Sequence, residues 1–175
     1  GAGTSSNGTF TAASTKDSGF IPAVSGTTNA SYTASAKTIA GTVRVASGSV
    51  GFSGGPIAGS LYSYDSAASL STVAGTWITT GLTGESVTLS IAASTGAFTA
   101  SSSLGCNFAG TVLPRPSGKN VFNVSLTFGP APCALPGQAA AGIAVAYPVG
   151  TGQTQLLVAV TDASRTVGTA IVGVR

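Results

Sequence analysis

The most regular alternation of apolar and polar residues in this chain lies in the segment Val121-Phe122-Asn123-Val124-Ser125-Leu126-Thr127-Phe128. In an extended strand, alternate side chains point to opposite faces, so Phe122, Val124 and Leu126 share one face and the polar residues share the other. One dry and one wet face is typical of antiparallel strands, because strands of parallel sheets are apolar on both sides. The segment therefore predicts an antiparallel β-sheet.

Similar short runs of β-forming residues lie on both sides of this segment, separated by clusters of Gly, Pro, Asn or Ser. They span residues 42–45, 57–64, 75–79, 87–91, 97–101, 106–113, 139–147, 155–160 and 166–174. Helical periodicity is nearly absent. The pattern predicts an all-β protein: an antiparallel up-and-down barrel or barrel-like sandwich of about 8–10 strands.

The domain organisation expected from this pattern is a single β domain over residues 1–175. Residues 1–65 form a less regular part and residues 70–175 a more regular β-meander. The first forty residues are rich in small and hydroxyl residues, which predicts a strand pair with loops; a disordered or displaced arm is the alternative. Before Leu70 the sequence allows either one helical turn capped by Asp65 or Ser66, or an ordinary loop.

The charge content is very low and limits the chemistry that the chain can perform. Charged residues make up 6% of the chain, as seven Lys or Arg and four Asp or Glu, and there is no His. Serine–lysine spacings and the few carboxylates fall in apparent turns or at strand ends, where turn-forming roles are commoner than catalysis. We expect no catalytic residue, no metal site, no cofactor and no enzymatic activity. The residues weighed are Ser35 with Lys37, Ser117 with Lys119, and Asp17, Asp65, Glu85 and Asp162.

The two cysteines, Cys106 and Cys133, favour a disulfide, with two buried free thiols as the alternative. A disulfide indicates an oxidising compartment, and thus an exported protein of the periplasm, outer membrane or cell surface. The first eight residues carry no cationic or apolar leader, so we expect any export leader upstream of Gly1.

Cationic side chains are scattered along the chain, so we expect no nucleic-acid partner, because neutralising several phosphates requires a basic cluster. Apolar runs are shorter than the ~18 residues of a spanning helix, so we expect no transmembrane segment.

The single tryptophan, Trp77, is predicted to pack inside the barrel and close one end of it. The alternative is a ligand pocket that Trp77 lines together with other aromatic residues. Those companions are Tyr62, Tyr64, Phe98, Phe108 and Tyr147.

The step Gly75-Thr76-Trp77 resembles the G-x-W opening strand of lipocalins and avidins, which are calycin barrels. A broader part, from Tyr62 to Arg175, resembles small exported β-barrel proteins of Gram-negative bacteria, many of them lipid-anchored. This likeness implies a Cys106–Cys133 disulfide and an envelope location; the lipid-bearing cysteine of such proteins is absent from this chain. It is carried by Tyr64-Asp65, Ala68-Ser69-Leu70, Gly75-Thr76-Trp77, Gly105-Cys106, Gly110, Asn120-Val121-Phe122, Cys133 and Gly142.

The composition is also similar to that of pilin or fimbrial subunits, although the first twenty residues lack the alternating apolar residues of a donor strand. The expected function is that of a non-catalytic exported β-barrel protein that binds a small ligand or a protein partner at one barrel end, as a monomer. The alternative is a structural subunit of a pilin-like or coat-like surface assembly.

Overall fold

The structure is a computed structural model that describes residues 3–17 and 23–175, and the chain is all-β, with 60% strand and 2% helix. It divides into two compact units: unit 1 lies within Gly1–Ser60 together with Arg165–Val167, and unit 2 comprises Leu61–Ser164 and Gly168–Arg175. The sequence pattern predicts a single β domain with a less regular part over residues 1–65, and the boundary between the units, at Ser60 and Leu61, lies close to the end of that part.

Unit 1 is a five-stranded antiparallel meander in which each strand pairs with the next. Its strands are β1 Thr4–Ser6, β2 Thr9–Asp17, β3 Val24–Thr33, β4 Thr38–Val45 and β5 Gly48–Gly54. The prediction of a strand pair with loops for the first forty residues is therefore wrong. Residues such as Thr28 and Ala30 provide the buried face of these strands, and their small side chains leave little apolar alternation to detect.

The predicted strand at residues 57–64 is absent, and this segment is irregular. Its largest apolar side chains, Ile57 and Leu61, are 74% and 76% exposed. Gly59 between them has φ of +72°, which interrupts an extended strand. The helical turn α1, Leu70–Val73, begins at Leu70 with Ser69 as its N-cap residue. The turn therefore lies after the position allowed by the sequence, and neither Asp65 nor Ser66 caps it.

Unit 2 is a closed barrel of eight antiparallel strands, which confirms the predicted fold class. Each strand pairs with its neighbours in the chain, and the last strand pairs with the first through Val172 and Thr80. The strands are β6 Gly75–Gly81, β7 Ser86–Ile91, β8 Ala97–Ser102, β9 Asn107–Pro114, β10 Phe122–Phe128, β11 Ala139–Gly150, β12 Gln153–Asp162 and β13 Gly168–Val174.

The barrel interior is filled by side chains, as the alternation in β10 predicts. Phe122 and Val124 are buried while Asn123 between them is exposed. The most deeply buried side chains include Trp77 and Leu156 as well as Phe122. The core cluster is assembled from all eight barrel strands and from Val73 of α1.

The disulfide between Cys106 and Cys133 is formed, with a Cα–Cα distance of 4.5 Å. It joins the residue that precedes β9 to the loop 129–138 between β10 and β11. We call this end of the barrel the disulfide end, and the opposite end, where α1 precedes β6, the helix end. This pairing confirms the disulfide that the sequence favours.

Candidate functional site

Trp77 belongs to the core at the helix end of the barrel. Its side chain is fully buried, and its indole N–H donates a hydrogen bond of 2.7 Å to the carbonyl of Val73. The Arg175 guanidinium lies 4.1 Å from the indole ring centre and donates hydrogen bonds to the carbonyls of Ala74 and Thr72. Trp77 thus connects α1, the first barrel strand and the end of the last one.

Three tyrosines lie near the helix end. The Tyr62 hydroxyl donates to the Asn120 carbonyl, and its ring packs edge-on against Tyr147 with 6.2 Å between ring centres. Burial raises the pKa of Tyr62, and neighbouring Tyr64 raises it further. Tyr64 is 49% exposed, with the Lys119 ammonium 5.6 Å from its ring centre. These contacts fasten the segment before α1 to the loop between β9 and β10.

Three phenylalanines form a row toward the disulfide end. The ring centres of Phe98 and Phe108 are 6.4 Å apart, and those of Phe108 and Phe128 are 5.7 Å apart. Phe98 is buried, whereas Phe108 and Phe128 are half-buried and reach the surface. The predicted aromatic set is therefore divided over Trp77, the tyrosines and this row.

An open cleft of about 610 Å³ lies on the outer face of β7 to β10. The rings of Phe108 and Phe128 belong to the opposite face and pack against the barrel core. Exposed side chains of the strands form its walls, because residues that alternate with the core point outward there. The pairings Thr88–Ser101 and Ser90–Thr99 place hydroxyl side chains side by side on neighbouring strands. Its lining residues are Thr88, Ser90, Thr99, Ala100, Ser101, Asn107, Phe108, Ala109, Thr127, Phe128 and Gly129.

A backbone hydrogen bond fixes the edge of the cleft at the disulfide end. The N–H of Gly129 donates a 2.8 Å hydrogen bond to the carbonyl of Asn107. A Cβ atom at Gly129 would lie 2.6 Å from that carbonyl oxygen, so only glycine permits this approach. The disulfide links Cys106, the neighbour of Asn107, to the loop that begins at Gly129, and so constrains both sides of this edge.

The cleft is electrically neutral. The strands that line it, β7 to β10, contain no charged residue, and every polar lining group is a hydroxyl, an amide or a backbone group. Such a surface can exchange hydrogen bonds with a neutral ligand but offers no counter-charge to an ionic one.

Two of the carboxylates weighed from the sequence have nearby partners within their own loops. Glu85 accepts hydrogen bonds from the N–H and hydroxyl of Thr83, and Asp162 accepts one from the Ser164 hydroxyl. No group of three or more metal-ligating side chains occurs within residues 3–17 and 23–175.

The remaining candidates are divided between the two units. Asp65 forms an exposed ion pair of 3.0 Å with Lys119, the partner considered for Ser117. Asp17 ends β2, and Lys37 lies in the turn between β3 and β4.

Of the aromatic residues named from the sequence, Phe108 lines the cleft, while the hydroxyl residues and Phe128 were missed. The sequence does contain a signal for the hydroxyl residues, because Thr88 and Ser90 lie two positions apart on one strand, and Thr99 and Ser101 do so on the next. This spacing predicts that each pair points outward from its strand. The pattern of one strand does not show that hydroxyls of neighbouring strands converge.

Comparison of the chain with protein-family models, curated proteins and solved structures finds no match. Within the part of the chain that the structure describes, none of the helices has the length and apolar character needed to span a membrane.

Proposed function

We propose that this protein is a non-catalytic, exported protein of the cell envelope whose barrel binds a neutral, hydroxyl-rich ligand, a glycan chain, in the cleft on β7 to β10. The observation that carries the proposal is one uncharged surface on which exposed hydroxyls of neighbouring strands, such as Thr88, Thr99 and Ser101, lie side by side. A small number of convergent polar groups is characteristic of ligand sites.

The chemistry of the cleft suits a sugar. Each serine or threonine hydroxyl both donates and accepts hydrogen bonds, which matches the hydroxyls of a neutral glycan. The absence of charge from the lining strands favours a neutral glycan over a phosphorylated or acidic one.

Export is supported by the disulfide, because such bonds persist in oxidising compartments. A binding role without catalysis is supported by the carboxylates, because Asp65, Glu85 and Asp162 each contact a different partner, namely Lys119, Thr83 and Ser164. Hydrolysis of a glycan commonly requires two carboxyl groups that flank one bond.

The test is binding of the intact chain to an array of neutral oligosaccharides, followed by calorimetry with each sugar retained. The variant Thr88→Val/Thr99→Val removes two cleft hydroxyls at nearly unchanged volume and is expected to weaken binding about tenfold or more. The control Thr76→Val/Thr80→Val removes two exposed hydroxyls of β6, which does not line the cleft, and is expected to bind like the wild type. Failure to bind any neutral sugar, or equal affinity of both variants, would refute the proposal.

A structural subunit of a surface assembly is the second candidate. It is favoured by the open sheet of unit 1, whose last strand, β5, has a neighbour on one side only within residues 3–17 and 23–175. The free backbone N–H and C=O groups of such an edge strand can pair with a strand of another chain and so extend the sheet.

A further inference from the structure

β5 is an edge strand that lacks the usual protection against pairing. Its seven residues, Gly48-Ser49-Val50-Gly51-Phe52-Ser53-Gly54, contain no charge and no proline, and its pairing with β4 is regular from Val45–Gly48 to Ile39–Gly54. Val50 is 66% exposed. Natural edge strands are normally kept from pairing by charges, prolines, bulges or short length, because they present a row of free N–H and C=O groups.

The opposite edge of the same sheet carries these protections. β1 has only three residues and covers only the first part of β2. Beyond it, the pairing of β2 with β3 is irregular between Ala12 and Thr15, and the charged residues Lys16 and Asp17 follow. The two edges of unit 1 therefore differ, and β5 is the one suited to accept another strand.

The sequence of β5 is complementary to itself in the antiparallel direction. When two β5 strands pair antiparallel about a twofold axis (dyad) at Gly51, Val50 lies opposite Phe52 of the second copy. In the same pairing Ser49 lies opposite Ser53, and Gly48 lies opposite Gly54. Paired residues of antiparallel strands lie on the same face, so the apolar pair extends the face that holds Val43 and the serine pair extends the polar face.

We propose that two copies of this chain associate through antiparallel pairing of β5 with β5, centred on Gly51. A Cβ atom at Gly51 would meet nothing within 4 Å, so the chain itself leaves the dyad position open. The absence of charge from β5 means that the approach of two copies creates no like-charge pair across the dyad. This inference goes beyond ligand binding, since the proposed glycan cleft lies in unit 2, and it replaces the monomer expected from the sequence.

The size of the contact predicts a weak dimer. Seven residues extend over about 24 Å of strand. A single strand pair of this length buries less than the roughly 1,200–2,000 Å² of stable interfaces. We therefore expect a monomer–dimer equilibrium that depends on concentration.

The test compares charge patterns at Ser49 and Ser53 by sedimentation velocity over a wide concentration range. Ser49→Glu/Ser53→Glu places like charges opposite each other twice per dimer, whereas Ser49→Glu/Ser53→Lys places opposite charges there. Both residues are exposed, and Ser49 faces Arg44 and Ser53 faces Ala40 within the chain, so both variants are expected to fold. We expect the dimer of the first variant to dissociate about tenfold more readily than that of the second.

A covalent test fixes the register. Under mild oxidation, Gly51→Cys is expected to form a disulfide-linked dimer, because two copies of residue 51 meet at the dyad. Ser31→Cys, an exposed position on the inner strand β3, is the control and is expected to remain monomeric. A wild type that stays monomeric at all concentrations, charge variants that associate equally, or equal cross-linking at positions 51 and 31 would overturn the proposal. None of these results affects the test for glycan binding.

Discussion

Close contacts of single residues determine how the barrel of unit 2 closes. Trp77 on β6 lies beneath Arg175, which follows β13, and these are the strands whose pairing closes the barrel. Gly142 on β11 permits another close approach, since a Cβ atom there would lie 1.9 Å from the carbonyl oxygen of Ala159 on β12. The barrel thus depends on the large side chain of Trp77 at its helix end. It also depends on Gly142, where the lack of a side chain lets β11 and β12 lie close together.

Gly142→Ala is expected to lower the free energy of unfolding of the barrel by about 1–3 kcal/mol, because backbone of β12 must move to admit the methyl group. Gly150→Ala on the same strand is the matched control, since a Cβ atom there would meet only the end of the flexible Gln153 side chain, at 3.3 Å. Urea unfolding followed by Trp77 fluorescence measures both variants. A loss in Gly142→Ala no larger than that in Gly150→Ala would contradict the importance of this contact.

Tyr62 is expected to make stability depend on alkaline pH. Burial and Tyr64 raise its pKa in the folded chain, so folding favours the neutral phenol. The resulting stabilisation is fully present below the ordinary tyrosine pKa of about 10 and is lost as pH rises through the higher folded pKa. Denaturant titrations at several alkaline pH values are expected to show a smaller loss of stability in Tyr62→Phe than in the wild type. An identical loss in both proteins would exclude this role for Tyr62.

At the scale of elements, the hairpins of the barrel bury large residues on one side and expose hydroxyls on the other. β7 alternates buried Val87, Leu89 and Ile91 with exposed polar residues, and β8 and β10 follow the same rule. The disulfide crosses from one hairpin to the next and spans 27 positions of sequence. It restrains the two loops that flank the cleft.

Cys106→Ser/Cys133→Ser is expected to lower the free energy of unfolding of the barrel by about 3.5 kcal/mol, the chain-entropy value for a loop of this length. The measurement is urea unfolding followed by Trp77 fluorescence. A reductant is expected to destabilise the wild type similarly and to leave the variant unchanged. If the reductant destabilises the variant as much as the wild type, the effect does not come from this bond.

At the scale of the whole molecule, the two units contain very different cores. Among the described residues up to Ser60, the buried side chains are the small ones of Ala12, Thr28 and Ala30. The barrel, in contrast, buries Trp77, Phe122 and many aliphatic residues. Since burial of apolar surface is the dominant stabilising contribution, we expect the barrel to be the more stable unit.

Unit 1 is therefore expected to unfold before the barrel. Trp77, the single tryptophan, reports on the barrel alone, whereas far-UV circular dichroism reports on the strands of both units. Urea titrations by the two methods are expected to give non-coincident transitions, with fluorescence changing at higher urea. Coincident transitions would show that the units unfold as one.

The alternation in residues 75–174 predicted most barrel strands, because each of these strands buries one side and the buried residues are large. In the part of the chain before residue 65, the same alternation led to two kinds of error. It missed strands such as β5, which has no buried residue and only two large apolar side chains, Val50 and Phe52, among glycines and serines. It also predicted a strand at residues 57–64, where Gly59 turns the chain.

The positions of the barrel strands and their wet and dry faces follow from residue order alone, because they depend on neighbours one or two positions apart. The scarcity of charged residues follows from composition. Closure of β13 onto β6, the division into two units and the convergence of Thr88, Thr99 and Phe128 on one cleft do not. These features depend on which strands lie side by side and in what register. That choice is made by packing between residues far apart in the chain, which local periodicity does not record.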